Sequence, residues 1–406
     1  MECRKFTDVS DSQTVYLDNN ATTALDPAVV EKMLPFLTQS YGNPSSGHKF
    51  GAQARRAIDQ ARERLAALLQ CEPREIVFTS CGTEASNAAI NSALQFEPRG
   101  KHIVTTAVEH SAVRRHCEEL AQKGCDVTFL TVDTDGNLDL AELEHSIRPE
   151  TSIVSIMWAN NETGVVFPID KISEICRSKQ VFFHTDAVQA VGKLPIRLRD
   201  SGVSFLSLSA HKFYGPKGIG ALYINKNIRF QPSIVGGGQE NGRRAGTENV
   251  ASIVGLGKAA ECAAEFLEEE NTRVRPMRDR FEKAIAEKVV DTSVNGQRAI
   301  RLPNTANLSF KGVEAQSVLM LLDQQHICCS AGSACRTGAT DGSHVLRAMK
   351  VSGEWLHGTL RFSFGRFSSD SDIDRAITVV PTVIEKLRRM SAPLSAKTEL
   401  EFEPLA

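Results

Sequence analysis

Between about residues 20 and 260, short apolar runs alternate with amphipathic stretches. Seven of the runs predict strands, over 76–80, 102–106, 126–132, 152–158, 181–187, 204–210 and 221–224. They are nearly continuous in apolar residues, the pattern of strands covered on both faces. Helical patterns lie between several of them, as over 84–94 and 169–178. Earlier, Gly51 to Leu69 carries an apolar stripe through Ala54, Ala57, Ile58, Ala61, Leu65 and Leu68. Such alternation predicts an α/β layer with a mostly parallel, seven-stranded sheet.

The texture changes near residue 250. Residues 251–270 and 272–290 predict two long helices, the second interrupted early by Pro276. A strand-like Leu308-Ser309-Phe310 and a helix over 313–322 follow. A small α+β domain fits this half, with the N-terminal segment packed onto it. With 406 residues there is room for two domains of roughly 100–200 residues each. The expected division is a large α/β domain over 20–260 and a small one built from 1–19 and 261–406.

Composition narrows the function classes. A content of 41% apolar and 24% charged residues fits a globular chain. A net charge of -2 argues against nucleic acid or an anionic membrane as the main partner. No apolar run approaches the ~18 residues of a membrane span. The start, Met1-Glu2-Cys3-Arg4-Lys5, lacks the apolar core of a signal peptide, so a cytoplasmic location is expected. The ten cysteines contain no CxxC pair, which argues against a zinc site and a thioredoxin-like motif. Cys71, Cys81, Cys117, Cys125, Cys176 and Cys262 are expected to be small apolar fillers, and Cys328 and Cys329 to be structural.

Candidate chemistry collects at the ends of the expected strands, where open α/β sheets bind ligands. The run Phe205-Leu206-Ser207-Leu208 leads to Ser209-Ala210-His211-Lys212. A lysine at the end of a buried strand loses solvation, and its neutral amine can form a Schiff base with an aldehyde cofactor. Phe182-Phe183-His184-Thr185-Asp186 ends in a carboxylate. A lysine for the aldehyde and a carboxylate for the ring nitrogen are what pyridoxal phosphate requires. Cys81-Gly82-Thr83-Glu84 opens a helix after a strand, a place for a phosphate. His110, Asn161 and Gln189 follow other strands, and a glycine-rich loop, Gly236-Gly237-Gly238, leads on to Thr247. Gly215 to Gly220 runs into a strand and lacks the GK[ST] ending, so it is not a nucleotide loop.

Two further residues stand out. Cys335 lies in Ser330-Ala331-Gly332-Ser333-Ala334-Cys335-Arg336-Thr337-Gly338, whose small residues predict an exposed, flexible loop. The adjacent arginine favours a reactive thiolate. Arg361, in a strand-like run, requires a carboxylate partner. Either a buried ion pair or an amino-acid substrate satisfies it.

Taken together these residues resemble the NifS/IscS-type cysteine desulfurases of the class V aminotransferase group. The resemblance runs from Leu17-Asp18-Asn19-Asn20-Ala21-Thr22-Thr23 to Arg361-Phe362-Ser363-Phe364-Gly365-Arg366. It passes through Gly42-Asn43-Pro44-Ser45-Ser46, Asn160-Asn161-Glu162-Thr163-Gly164, His184-Thr185-Asp186 and Gly332-Ser333-Ala334-Cys335. It implies the fold type I pyridoxal-phosphate architecture and a homodimer. It implies that Lys212 carries the cofactor, Asp186 pairs with the ring nitrogen and His110 stacks on the ring and shuttles protons. Asn161 and Gln189 would lie near the ring hydroxyl, with Gly82, Thr83, Ser209 and His211 at the phosphate. Thr247 would reach the phosphate of the other subunit. Arg361, with Asn161, would hold the substrate, L-cysteine, and Cys335 would accept its sulfur as a persulfide while alanine leaves. The implied recipient is an iron–sulfur scaffold or another acceptor protein, including a nitrogenase-dedicated one, and Cys335 is a candidate transient ligand of cluster iron. The end, Ser391 to Ala406, does not resemble the scaffold-docking tail of housekeeping members. A selenocysteine lyase on the same fold and a non-enzymatic thiol or iron–sulfur binding protein are the competing readings.

Overall fold

The computed structural model of the chain describes residues 14–96, 100–331 and 342–391. Its first strands are β1 (Val15–Tyr16), β2 (Ile76–Thr79), β3 (His102–Thr106), β4 (Asp126–Leu130), β5 (Thr151–Ser155), β6 (Phe182–Asp186), β7 (Phe205–Ser209) and β8 (Gly220–Ile224). The seven expected runs all form strands, β2 to β8, and they share one sheet in the order β2-β8-β7-β6-β5-β3-β4. Neighbours β4, β3, β5, β6 and β7 pair in parallel, and only β8 runs against both of its neighbours. The apolar runs extend past the observed ends at 130 and 155, because Val132, Ile156 and Met157 stay buried in the turns beyond.

The continuous apolar character has a direct cause. Alternate side chains point to opposite faces. Ile76, Phe78, Val104, Val154, Phe183 and Leu206 join one core, while Val77, Ile103, Ile153 and Phe205 join another. Helices Gly82–Phe96 and Ser111–Gln122 cover the second core, and helices Lys49–Leu69, Ile169–Ser178 and Val250–Glu269 cover the first. Lys49–Leu69 buries Ala54, Ile58, Ala61 and Leu65, whereas Ala57 and Leu68 of the expected stripe are half-buried. Its axis comes close to Val250–Glu269, where a Cβ on Gly257 would sit 2.5 Å from the Cα of Ala61.

The second half builds a separate core. Its strands are β9 (Thr292–Val294), β10 (Thr305–Phe310), β11 (Ile327–Cys328), β12 (Ser330–Ala331) and β13 (Thr359–Ser363). An antiparallel sheet in the order β12-β13-β10-β9 packs Leu308, Phe310, Phe362 and Phe364 against Phe281 and Ile285. β1 pairs in parallel with β11, which brings Val15 and Leu17 into the same core. The expected break at Pro276 does not occur. One wide turn, Glu270–Val274, carries the chain into helix Arg275–Lys288, with Pro276 in its first turn, where a missing N–H is harmless. The helix expected over 313–322 spans Ala315–Asp323.

Among the described residues no helix is long and apolar enough to cross a membrane. The eight described cysteines are free. Cys117, Cys176 and Cys262 are buried as expected, but Cys71, Cys81 and Cys125 are only partly so. Cys81 lines a cavity rather than filling a core.

Candidate active site

Parallel strands end on one side of the sheet, so the residues that follow them meet there. A cavity of about 490 Å³ opens at this edge. Lys212 enters it from the short 3₁₀ turn Ala210–Lys212 after β7, and Asp186 from the end of β6. Gly82 and Thr83 come from the turn after β2, His110 from the turn after β3, and Asn161 from the segment after β5. Gln189, Ser209, His211 and Arg361 complete the expected lining. Thr247 is exposed and does not line this chain's cavity. Cys335 lies outside the described residues; the cavity wall includes Gly342, where the described chain resumes.

The polar groups are aimed. Lys212 Nζ donates to the carbonyls of Asn20 and Ala21, at 2.6 and 2.7 Å. Gln189 Nε2 donates to the same Asn20 carbonyl at 3.0 Å, while its Oε1 is buried without a partner. Asp186 is buried and accepts from the N–H of Val188 at 3.0 Å. Burial pushes its carboxyl up from the ordinary range, against the pull of His110 and Lys212. His110 caps helix Ser111–Gln122, its Nδ1 accepting from the N–H of Ala112 at 3.2 Å. Burial holds this imidazole below its usual range, and Lys212 adds to the effect while Asp186 opposes it. With Nδ1 an acceptor, the neutral ring carries its proton on Nε2.

Arg361 forms the buried ion pair and also lines the cavity. Its guanidinium donates to Asp18 Oδ1 at 2.8 Å and to the Asn161 carbonyl at 2.9 Å. Its Nε is buried without a partner. Asp18, which Ser330 Oγ also contacts at 2.8 Å, fixes one side of the fork, and the cavity faces the rest. Asp18, Asn20, Ala21 and the buried Glu162 are site-forming residues that carried no separate role in the sequence. For Asp18 and Asn20, the polar run Asp18-Asn19-Asn20 after Val15 and Leu17 is the one local signal.

The donor set fits pyridoxal phosphate. Gly82 starts a fifteen-residue helix and lines the cavity, so the first turn of that helix presents its N–H groups where an anion would sit, and a Cβ there would press on Val188 at 2.6 Å, so the position needs glycine. Beside it, burial drives His211 down to about 4 with help from Lys212, Lys217 and Lys193, so the ring is a neutral donor. The buried Asp186 carboxylate calls for a cation within the cavity, and the orphaned Gln189 Oε1 calls for a donor.

Glu109, next to His110, is fully buried. Thr106 Oγ1 and the N–H of Met157 donate to Oε1 at 2.8 and 3.0 Å, but Oε2 has no partner. Burial pushes this carboxyl up to about 8 from an ordinary 4.5. Between those values the folded chain holds a proton that the unfolded chain has lost, so stability falls as pH rises through the window. Glu109→Gln should remove this decline, worth at most about 1.4 kcal/mol per pH unit. Denaturant unfolding of both proteins at pH 5 and pH 8 checks it. The variant gains relative to the parent at pH 8, and curves that stay parallel refute the assignment.

Comparison with known proteins places these observations in context. The family model "Aminotransferase class-V" matches residues 15–376. A curated cysteine desulfurase of Nostoc sp. is 51% identical over 93% of this chain and 94% of its own length. "Cysteine desulfurase NifS" of Azotobacter vinelandii is 48% identical over 95% of this chain and 96% of its own. The solved structure of a "NIFS-LIKE PROTEIN" superposes with a TM-score of 0.86 at 37% identity, covering 92% of this chain and all of that one.

Proposed function

This chain belongs to the class V aminotransferase family and is a cysteine desulfurase, and we propose that its cavity binds pyridoxal phosphate through Lys212 and passes the sulfur of L-cysteine to Cys335. The observation that carries this reading is the convergence of Lys212, Asp186, His110 and Arg361 on one cavity with two orphaned buried polar atoms.

When bound, pyridoxal phosphate supplies an electron sink for the substrate Cα. The chain's residues do the rest. Arg361, steadied by Asp18, holds the carboxylate of cysteine through its remaining donors. Lys212 Nζ takes the Cα proton, with the Asn20 and Ala21 carbonyls at hand to hold the resulting ammonium. His110 Nε2 holds a proton over the reacting atoms. The Cys335 thiolate attacks the substrate sulfur. An S–S bond forms as the Cβ–S bond breaks and its electron pair passes to carbon. Protonation of that carbon, and return of the Cα proton from Lys212, yield alanine, and a persulfide stays on Cys335. Delivery of this sulfur to an iron–sulfur scaffold or another acceptor protein completes the cycle. The reading is tested by alanine and sulfide release from L-cysteine with and without a thiol reductant. Sulfide should require the reductant, which clears the persulfide, and its absence under both conditions refutes the reading.

The working form is a homodimer. Helix Pro27–Thr38 leaves Val30, Leu34 and Leu37 exposed on one stripe, at positions i, i+4 and i+7. Tyr41, 75% exposed, follows it, and Val235 is 80% exposed in the glycine-rich loop that leads to Thr247. A second copy covering this apolar surface would bring its Thr247 toward the phosphate end. Sedimentation of the active enzyme should give about twice the 44.4 kDa chain mass. Leu34→Asp with Leu37→Asp should lower that mass and the activity together, and an active 44 kDa species refutes the dimer.

A further inference from the structure

A second lysine sits beneath the cavity and has no place in the chemistry above. Lys193 is 4% exposed, although an ammonium is costly to bury. It follows β6, four residues beyond Gln189. Its Nζ donates to the carbonyl of Gln189 at 3.2 Å and to the carbonyl of Lys212 at 3.3 Å. These carbonyls belong to the turns that leave two adjacent parallel strands, β6 and β7. One side chain therefore joins the backbone of the cofactor-bearing residue to that of the residue facing the ring hydroxyl. A lysine retained only to fill space would be better replaced by an apolar side chain of similar volume.

The surroundings keep this cation in place. Burial holds Lys193 down to about 8, and the nearby Glu270 offsets part of that effect. Glu270 lies in the wide turn Glu270–Val274, is itself buried, and has one carboxyl oxygen without a partner. The field of Lys193 reaches the cavity, since it helps to depress His211 at the phosphate end.

We propose that Lys193 is a positioning residue for Lys212, a brace whose ammonium clamps the Lys212 and Gln189 turns together beneath the cofactor. It touches neither substrate nor cofactor. The proposal rests on the reading that Lys212 carries the cofactor. Misplacing a reacting group by an ångström costs up to about 100-fold in rate. Loss of the brace therefore acts on the steps in which Lys212 must reach its target.

The test replaces the ammonium with a side chain of similar length, in Lys193→Met. Four quantities are measured: the rate at which the visible band forms when pyridoxal phosphate is added to apoprotein, kcat and KM for L-cysteine, and the melting temperature. The expected result is a fall of about tenfold or more in band formation and in kcat, with KM changed by less than about threefold. A lower melting temperature with wild-type band formation and kcat makes Lys193 a core filler and overturns the proposal. If the methionine variant does not fold, Lys193→Gln, which keeps a neutral donor on a shorter arm, is measured in the same way. A fall in its band-formation rate supports the brace, and an unchanged rate overturns it. Borohydride labelling separates the two readings. A pyridoxyl group found away from residue 212 defeats the Lys212 assignment itself, whereas a label at 212 formed at the wild-type rate in the variant defeats only the brace.

Discussion

Lys212→Ala lowers the rate of alanine formation from L-cysteine by about 10⁴-fold or more, the upper range for removal of a positioned proton-transfer group. The loss has two origins. The variant has no amine to anchor pyridoxal phosphate, and it has no base at the substrate Cα. The cavity offers no substitute at that position, because Lys193 lies below it with its Nζ turned to the carbonyls of Gln189 and Lys212. Among the described residues no other lysine lines the cavity. Borohydride reduction of the wild-type holoenzyme followed by mass spectrometry should place the pyridoxyl group on residue 212. The folded state should survive the substitution, since Lys212 is only part-buried and lines the cavity rather than the core. A label on another lysine, or a Lys212→Ala enzyme that keeps more than about a hundredth of the parent turnover, ends the assignment.

Cys335→Ser abolishes alanine release to beyond about 100-fold below the parent, because a hydroxyl is a far poorer sulfur nucleophile than a thiolate. Binding of cysteine should persist, since it draws on Lys212, Asp186 and Arg361, and the cysteine-induced change in the visible spectrum should remain. The rival thiols are disfavoured by their settings. Burial pushes Cys71, Cys117 and Cys176 up to about 12 and also raises Cys262, Cys328 and Cys329, so all six are held as thiols. Cys81 is the described cysteine that lines the cavity, which makes Cys81→Ser the control. It should keep most of the parent activity. Alkylation of the cysteine-treated enzyme should give a persulfide adduct on the tryptic peptide ending at Arg336. An adduct on the Cys81 peptide, or full activity in Cys335→Ser, transfers the role away from Cys335.

The strands of the large sheet were legible because all but the edge strand β4 are buried on both faces. Burial on both faces demands an unbroken apolar run, and such a run ends abruptly where a polar residue turns toward solvent or a ligand. Asp186 after Phe182-Phe183 and Lys212 after Phe205 to Leu208 are two such ends, so chemistry and element boundary coincided in the sequence. A long helix with a regular stripe, such as Lys49–Leu69, was equally plain. The joint at Glu270–Val274 was not, because a proline in a first turn and a proline that breaks a helix look alike along the chain.

Strand order and the inner wall of the site belonged to the tertiary structure. The carbonyls that hold Lys212 come from residues 192 and 191 positions away, and a backbone carbonyl has no signature in residue type. Asp18 became the partner of Arg361 only when β1 joined the second core, across a separation of 343 residues. Glu109 and Lys193 look like ordinary surface charges until packing seals them, and it is burial, not identity, that shifts their protonation. Local order follows from side-chain pattern, which the sequence carries position by position. The electrostatics of the site follow from which distant segments exclude water from it, and only the closed fold decides that.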